Sequence, residues 1–89
     1  MKRVVWKYTM GSQDSTFSVP IGAKFRHADL QHGSLTLWLE VSPRYAKVDR
    51  RFVAIATGEE FDPSRLEYRA TIIAGGGSTV WHVYEEVLQ

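Results

Sequence analysis

His27 and Asp29 stand two residues apart in Phe25-Arg26-His27-Ala28-Asp29. On an extended strand that spacing puts an imidazole and a carboxylate on one face, and both are donors suited to zinc or manganese. A second imidazole, His82, lies close to Glu85 and Glu86. One histidine per strand falls short of the ligand set that holds a metal, so no metal is assigned. His27 is expected to stack on Trp38, and His82 to be a hydrogen-bonded, half-buried side chain.

Hydrolysis needs a nucleophile, a base and a group to orient the base. Ser34, Ser42 and Ser78 are available, but none sits in a nucleophile-elbow pattern and no Ser-His-Asp order stands out. Glu59-Glu60 and Glu85-Glu86 are adjacent pairs, so on strands or loops their members point apart and are expected to be solvated. No catalytic residue is assigned, and the chain is expected not to be an enzyme.

Anion binding is better provided for. Gly75-Gly76-Gly77-Ser78 offers unobstructed backbone N–H groups, and Arg44, Lys47, Arg50 and Arg51 concentrate positive charge in one stretch. Trp6, Trp38, Trp81, Tyr8 and Tyr84 supply flat apolar surfaces, and an aromatic shelf beside an arginine is a common way to hold a base and a phosphate. The competing reading is that these aromatics fill a small core, since each buries a large area. The expected ligand-binding set is Phe25, His27, Asp29, Trp38, Arg50, Arg51, Trp81, His82 and Tyr84, for a small nucleotide-like ligand without any cofactor.

These side chains need strands to position them. Gln31-His32-Gly33-Ser34 separates two β-prone runs, and a two-residue type I′ loop needs positive φ at both central positions; glycine gives this freely and histidine tolerates it. With His32 and Gly33 in the loop, Leu30 faces Leu35, Ala28 faces Leu37 and Arg26 faces Leu39. On the opposite face Asp29 meets Thr36, His27 meets Trp38 and Phe25 meets Glu40.

Upstream, 4–8 forms a first strand with Val4, Trp6 and Tyr8 on one side. A polar turn follows, then a short strand at 16–19 that Pro20 keeps out of a central ladder position. Gly22 lets the chain change direction. Arg44 to Arg50 is expected as a charged loop with at most one helical turn, and Phe52 to Thr57, apolar on both faces through Ala56, as an interior strand. Asp62-Pro63 is placed to cap a single helical turn. Strands at 67–74 and 78–86 close the chain through the glycine triplet, with Ile72 facing Val80 or Trp81. The result is an all-β, single-domain antiparallel barrel or sandwich of six to seven strands spanning 1–89.

Composition narrows the partners. Eleven Lys and Arg against ten Asp and Glu give a formal charge of +1, without the basic excess of a dedicated nucleic-acid binder. The absence of cysteine suits a reducing compartment such as a bacterial cytoplasm. Lys7 interrupts the first apolar run, so neither a secretion signal nor a membrane span is expected.

Trp6-Lys7-Tyr8, Val19-Pro20, Gly22-Ala23, Leu37-Trp38, Val41, Pro43, Arg51-Phe52 and Thr57-Gly58 together resemble a family of small proteins of unknown function encoded by phages, prophages and bacterial genomes. Gly76-Gly77 followed by Trp81-His82-Val83-Tyr84-Glu85 is the most specific part of that resemblance. Where the family usually has an acidic residue before the proline, this chain has Ser42. The resemblance implies a phage or prophage origin and transfers no catalytic residue. Together with the small size, the strand apolar on both faces and the aromatics beside arginine, that origin leads to the expectation of a non-enzymatic, homo-oligomeric counter-defence protein that sequesters a nucleotide-derived host signal. The alternative is an interaction module that inhibits a host protein complex through an edge strand or an aromatic patch.

Overall fold

The computed structural model describes residues 2–87. Seven strands run through them: β1 (Val4–Thr9), β2 (Asp14–Pro20), β3 (Lys24–Gln31), β4 (Ser34–Val41), β5 (Lys47–Ala56), β6 (Leu66–Ala74) and β7 (Thr79–Glu86). They form two antiparallel sheets, ordered β1-β4-β3 and β2-β5-β7-β6. The fold is therefore an all-β sandwich and not a closed barrel. No helix among the described residues is long and apolar enough to cross a membrane.

Alternation along the strands builds the core. Leu37, Leu39 and Val41 of β4 face Phe52 and Ala54 of β5, Ile72 of β6, Val83 of β7 and Val19 of β2, all buried. Each large apolar side chain taken out of water in this way contributes roughly 1.5–3 kcal/mol.

The β3–β4 hairpin turns on His32 (φ 51°) and Gly33 (φ 78°), as the sequence predicts. Leu30 pairs with Leu35, Asp29 with Thr36, Ala28 with Leu37 and His27 with Trp38. Beyond His27 the predicted register fails. A bulge at Arg26 puts Phe25 opposite Leu39 and Lys24 opposite Glu40. The extra residue rotates Phe25 into the core, 6.1 Å from the Phe52 ring, and leaves Arg26 outside, where its Nε donates to Glu40 Oε1 at 3.0 Å.

Two further expectations change, and one register left open is fixed. Residues 47–50 are strand and not loop, because their backbone ladders with β2: Val48 pairs with Val19, Asp49 with Ser18 and Arg50 with Phe17. No helical turn forms at Asp62-Pro63; Asp62 Oδ1 accepts the Ser64 N–H at 2.9 Å in a side-chain-closed turn. The glycine triplet coils into one 3-10 turn, which sets Ile72 opposite Trp81. Pro20 does end an edge strand.

Candidate ligand-binding cleft

The predicted ligand-binding residues do not meet in one place. His27, Asp29 and Trp38 lie on the outer face of the three-stranded sheet. The His27 and Trp38 rings are 5.7 Å apart and tilted by 39°, and His27 Nε2 is 3.8 Å from Asp29 Oδ2. Both His27 and Asp29 are exposed. Arg51, His82 and Tyr84 lie on the outer face of the other sheet, while Phe25, Arg50 and Trp81 point inward. Among the described residues no three His, Cys, Asp or Glu side chains group closely enough to hold a metal ion.

The inward group is built around Glu85. Alternation from Val83, which is fully buried, carries Glu85 into the interior, where it is 4% exposed and not solvated as the sequence suggests. Its carboxylate accepts from Arg50 Nε, from Arg50 Nη2 at 2.8 Å and from Arg69 Nε at 3.0 Å. Arg50 Nη1 donates to the Ala23 carbonyl oxygen in the β2–β3 connection, and its guanidinium stands 5.8 Å from the Phe52 ring centre. Arg69 occupies the bulge between Tyr68 and Ala70. With its charges matched inside the fold, this cluster is part of the architecture and has no free cation for a ligand. Its sequence signal was the Trp81-Val83-Glu85 alternation.

Glu86, one residue on, points the other way and binds Arg51 at 2.9 Å; Arg51 also grips both Asp14 oxygens, at 2.9 and 2.7 Å. Those hydrogen bonds hold the Asp14 carboxyl below the usual carboxylate range. On the same outer face Phe61, from the β5–β6 connection, lies 5.1 Å from Tyr84, which meets Tyr68 edge-on at 5.7 Å. Beside them His82 Nε2 is 2.8 Å from the Thr57 hydroxyl, and Tyr68 and Thr71 share a 2.6 Å hydrogen bond.

A concave site lies elsewhere, at the end of the sandwich where β1 begins and β4 turns into β5. Ser42-Pro43-Arg44-Tyr45 is a β-turn closed by Tyr45 N–H on the Ser42 carbonyl oxygen at 3.0 Å, with proline at the position its fixed φ favours. A further bond from Ile21 N–H to the Ala46 carbonyl oxygen, 2.8 Å, fastens that turn to the end of β2. Arg3 pins the opposite wall by donating to the Gly22 carbonyl oxygen at 3.1 Å and to Glu40 at 2.9 Å. Between the walls is a cleft of about 410 Å³ lined by Lys2, Val4, Ser42, Pro43, Arg44 and Tyr45. Val4 and Pro43 give it apolar surface, Tyr45 an exposed ring, and Lys2 and Arg44 two positive charges without a carboxylate in the lining. Of these residues the sequence reading flagged only Arg44 as basic. Lys2 and Tyr45 are forty-three positions apart, and only the β1–β4 ladder brings them together.

The family described as a domain of unknown function, DUF7352, matches the chain over residues 1–89. No curated protein and no solved structure matches it. The chain belongs to the DUF7352 family.

Proposed function

We propose that this member of the family is a non-enzymatic binding protein of phage type, working in a bacterial host cytoplasm as a homo-oligomer. It holds a nucleotide-derived anion in the cleft at the start of β1. The observation that carries this reading is the make-up of the cleft. Its lining combines Lys2 and Arg44 with the Tyr45 ring and the apolar Val4 and Pro43, within the size range of small-molecule sites. Phosphate oxygens suit the two cations, and a base or ribose edge suits the ring and the apolar wall. The predicted set contributes indirectly: Arg50 and Arg51 are neutralised by Glu85, Glu86 and Asp14, which leaves Lys2 and Arg44 as the cations at a concave site.

Native mass spectrometry after exposure to a pool of cyclic nucleotides and ADP-ribose derivatives tests this directly. The expected result is one nucleotide-sized adduct per protomer, lost in Arg44→Ala and Tyr45→Ala but kept in His27→Ala. Protein that takes up nothing from the pool, or whose adduct survives both cleft substitutions, overturns the assignment.

A second reading rests on the aromatic cluster of the four-stranded sheet. Tyr68 is 54% exposed and Phe61 is exposed beside Tyr84, the composition of a protein-docking patch. In that case the host partner is a protein complex, and Tyr68→Ala abolishes its capture while the cleft variants do not.

A further inference from the structure

Each sheet of a sandwich has two edges with unpaired backbone groups, and proteins protect such edges with proline, bulges or charges. Three of the four edges here carry a proline or a bulge, and the fourth, β1, has a single charge, Lys7. β2 ends in Pro20, β3 has its bulge at Arg26 beside Lys24, and β6 has its bulge at Arg69 beside Glu67. The remaining edge, β1, pairs with β4 without a register shift from Val4 to Thr9 and contains neither proline nor glycine. Along it Val4 is 41%, Val5 56% and Trp6 37% exposed, so apolar side chains face water on both sides of one strand.

The hydrogen-bond phase of β1 is fixed. Met10 N–H donates to the Leu35 carbonyl oxygen at 2.8 Å, and in an antiparallel ladder such pairs recur at every second residue. Tyr8, Trp6 and Val4 therefore spend their backbone groups on β4, and Val5, Lys7 and Thr9 direct theirs outward. An antiparallel partner must bring groups of the same phase to meet them.

A second copy of β1 does this about a two-fold axis, and charge together with the length of strand that pairs selects the register. Centring the axis on Lys7 sets Lys7 against Lys7 of the other copy, and centring it on Val5 sets Lys7 against Arg3; like charges directly opposite are destabilising. Centring it on Trp6 sets Val5 against Lys7, Arg3 against Thr9 and Trp6 against Trp6. The inward faces then place Val4 against Tyr8, covering apolar surface that the single chain leaves wet.

We infer that β1 is a dimerisation edge, pairing antiparallel with β1 of a second copy about Trp6 to form a continuous six-stranded sheet. Val4 belongs both to this edge and to the cleft, so dimerisation brings two clefts to the same boundary. The inference deepens the homo-oligomeric part of the proposed function and stands without its ligand. A pairing of two 6-residue strands is small beside the ~800 Å² per partner of a standard interface, so a reversible dimer is expected.

Sedimentation equilibrium over a concentration series tests it. The Val5 N–H points to solvent in the single chain, so Val5→Pro removes an edge donor without breaking an internal bond, and its preceding residue is already extended. Val5→Lys is the second variant, placing a charge opposite Lys7 of the other copy. The expected result is a concentration-dependent wild-type dimer whose Kd rises at least tenfold in both variants, with far-ultraviolet circular dichroism unchanged in Val5→Lys. A wild-type protein that stays monomeric throughout the series, or a Val5→Lys variant that dimerises as the wild type does, overturns the inference. Arg44→Ala dimerises normally, so loss of ligand and loss of dimer are read separately.

Discussion

Replacing Glu85 by glutamine is the sharpest test of how this sandwich is held together. The substitution keeps shape and size but removes the charge between two guanidiniums and turns an acceptor oxygen into an NH2 group facing donors. Glu85 accepts three hydrogen bonds from Arg50 and Arg69 and has a side chain 5% exposed. Removing one partner of a buried ion pair costs about 3–5 kcal/mol, because the other charge is left unmatched. Arg50 and Arg69 retain 18% and 23% side-chain exposure, so water relieves part of that penalty and the expected loss is about 3 kcal/mol. For a domain of this size that corresponds to a fall in Tm of roughly 12–24 °C. Urea denaturation followed by tryptophan fluorescence and by circular dichroism measures it, with an unchanged denaturant slope showing that the unfolded state is not altered. Glu86→Gln is the internal control: its partner Arg51 is a surface group, and the expected loss is below about 1 kcal/mol. If Glu85→Gln costs no more than Glu86→Gln, the buried network does not stabilise the fold and the reasoning fails.

Two further predictions use groups the strands place apart. The Tyr8 hydroxyl is buried with no hydrogen-bond partner among the described residues, so Tyr8→Phe gains about 1 kcal/mol in the same denaturation assay. Burial raises the Tyr8 pKa, with Arg50 acting in the opposite direction, so stability from the neutral phenol is complete below pH ~10 and lost as pH rises through the folded value; the phenylalanine variant lacks that alkaline loss. Asp14 is the reverse case. Arg51 depresses its pKa, so its contribution is present above pH ~4 and lost as pH falls through the folded value. An acid titration of stability is then flatter in Asp14→Asn. The difference is under about 1 kcal/mol because more than half of the Asp14 side chain is exposed.

The hairpin was legible because His32-Gly33 fits one loop type, and that loop sets every pair up to His27 and Trp38. The reading broke at Arg26 because a strict period of two cannot count an inserted residue. The clue was present in the spacing: Phe25 and Ala28 both reach the core, three positions apart, which a strand achieves only through a bulge. Charge misled the reading of Lys47 to Arg50, where polar residues on a strand resemble a loop until β2 is laid beside them. Once that stretch is strand, Arg50 and Arg51 must face opposite ways, as must Trp81 and His82, and a single site containing all four is geometrically excluded. The cleft left no local signal, since its walls come from two segments some forty residues apart in the chain that meet only at one end of the β1–β4 ladder.

The order in which the strands pair also sets a timetable. Only β3 with β4 and β6 with β7 are neighbours in both chain and sheet; β1 must wait for β4, and β2 for β5. Local hairpins close in about 1–10 μs, whereas sandwiches dominated by distant pairings fold in milliseconds to seconds. On a ribosome, Val4, Val5 and Trp6 emerge before the other strands and stay unpaired until residues 39–41 have been made. During that interval the strand left least protected in the finished sandwich is also without its partner in the nascent chain, as is β2, whose Asp14 waits for Val53, so its apolar side chains are open to a chaperone or a neighbouring nascent copy before the sheet can cover them.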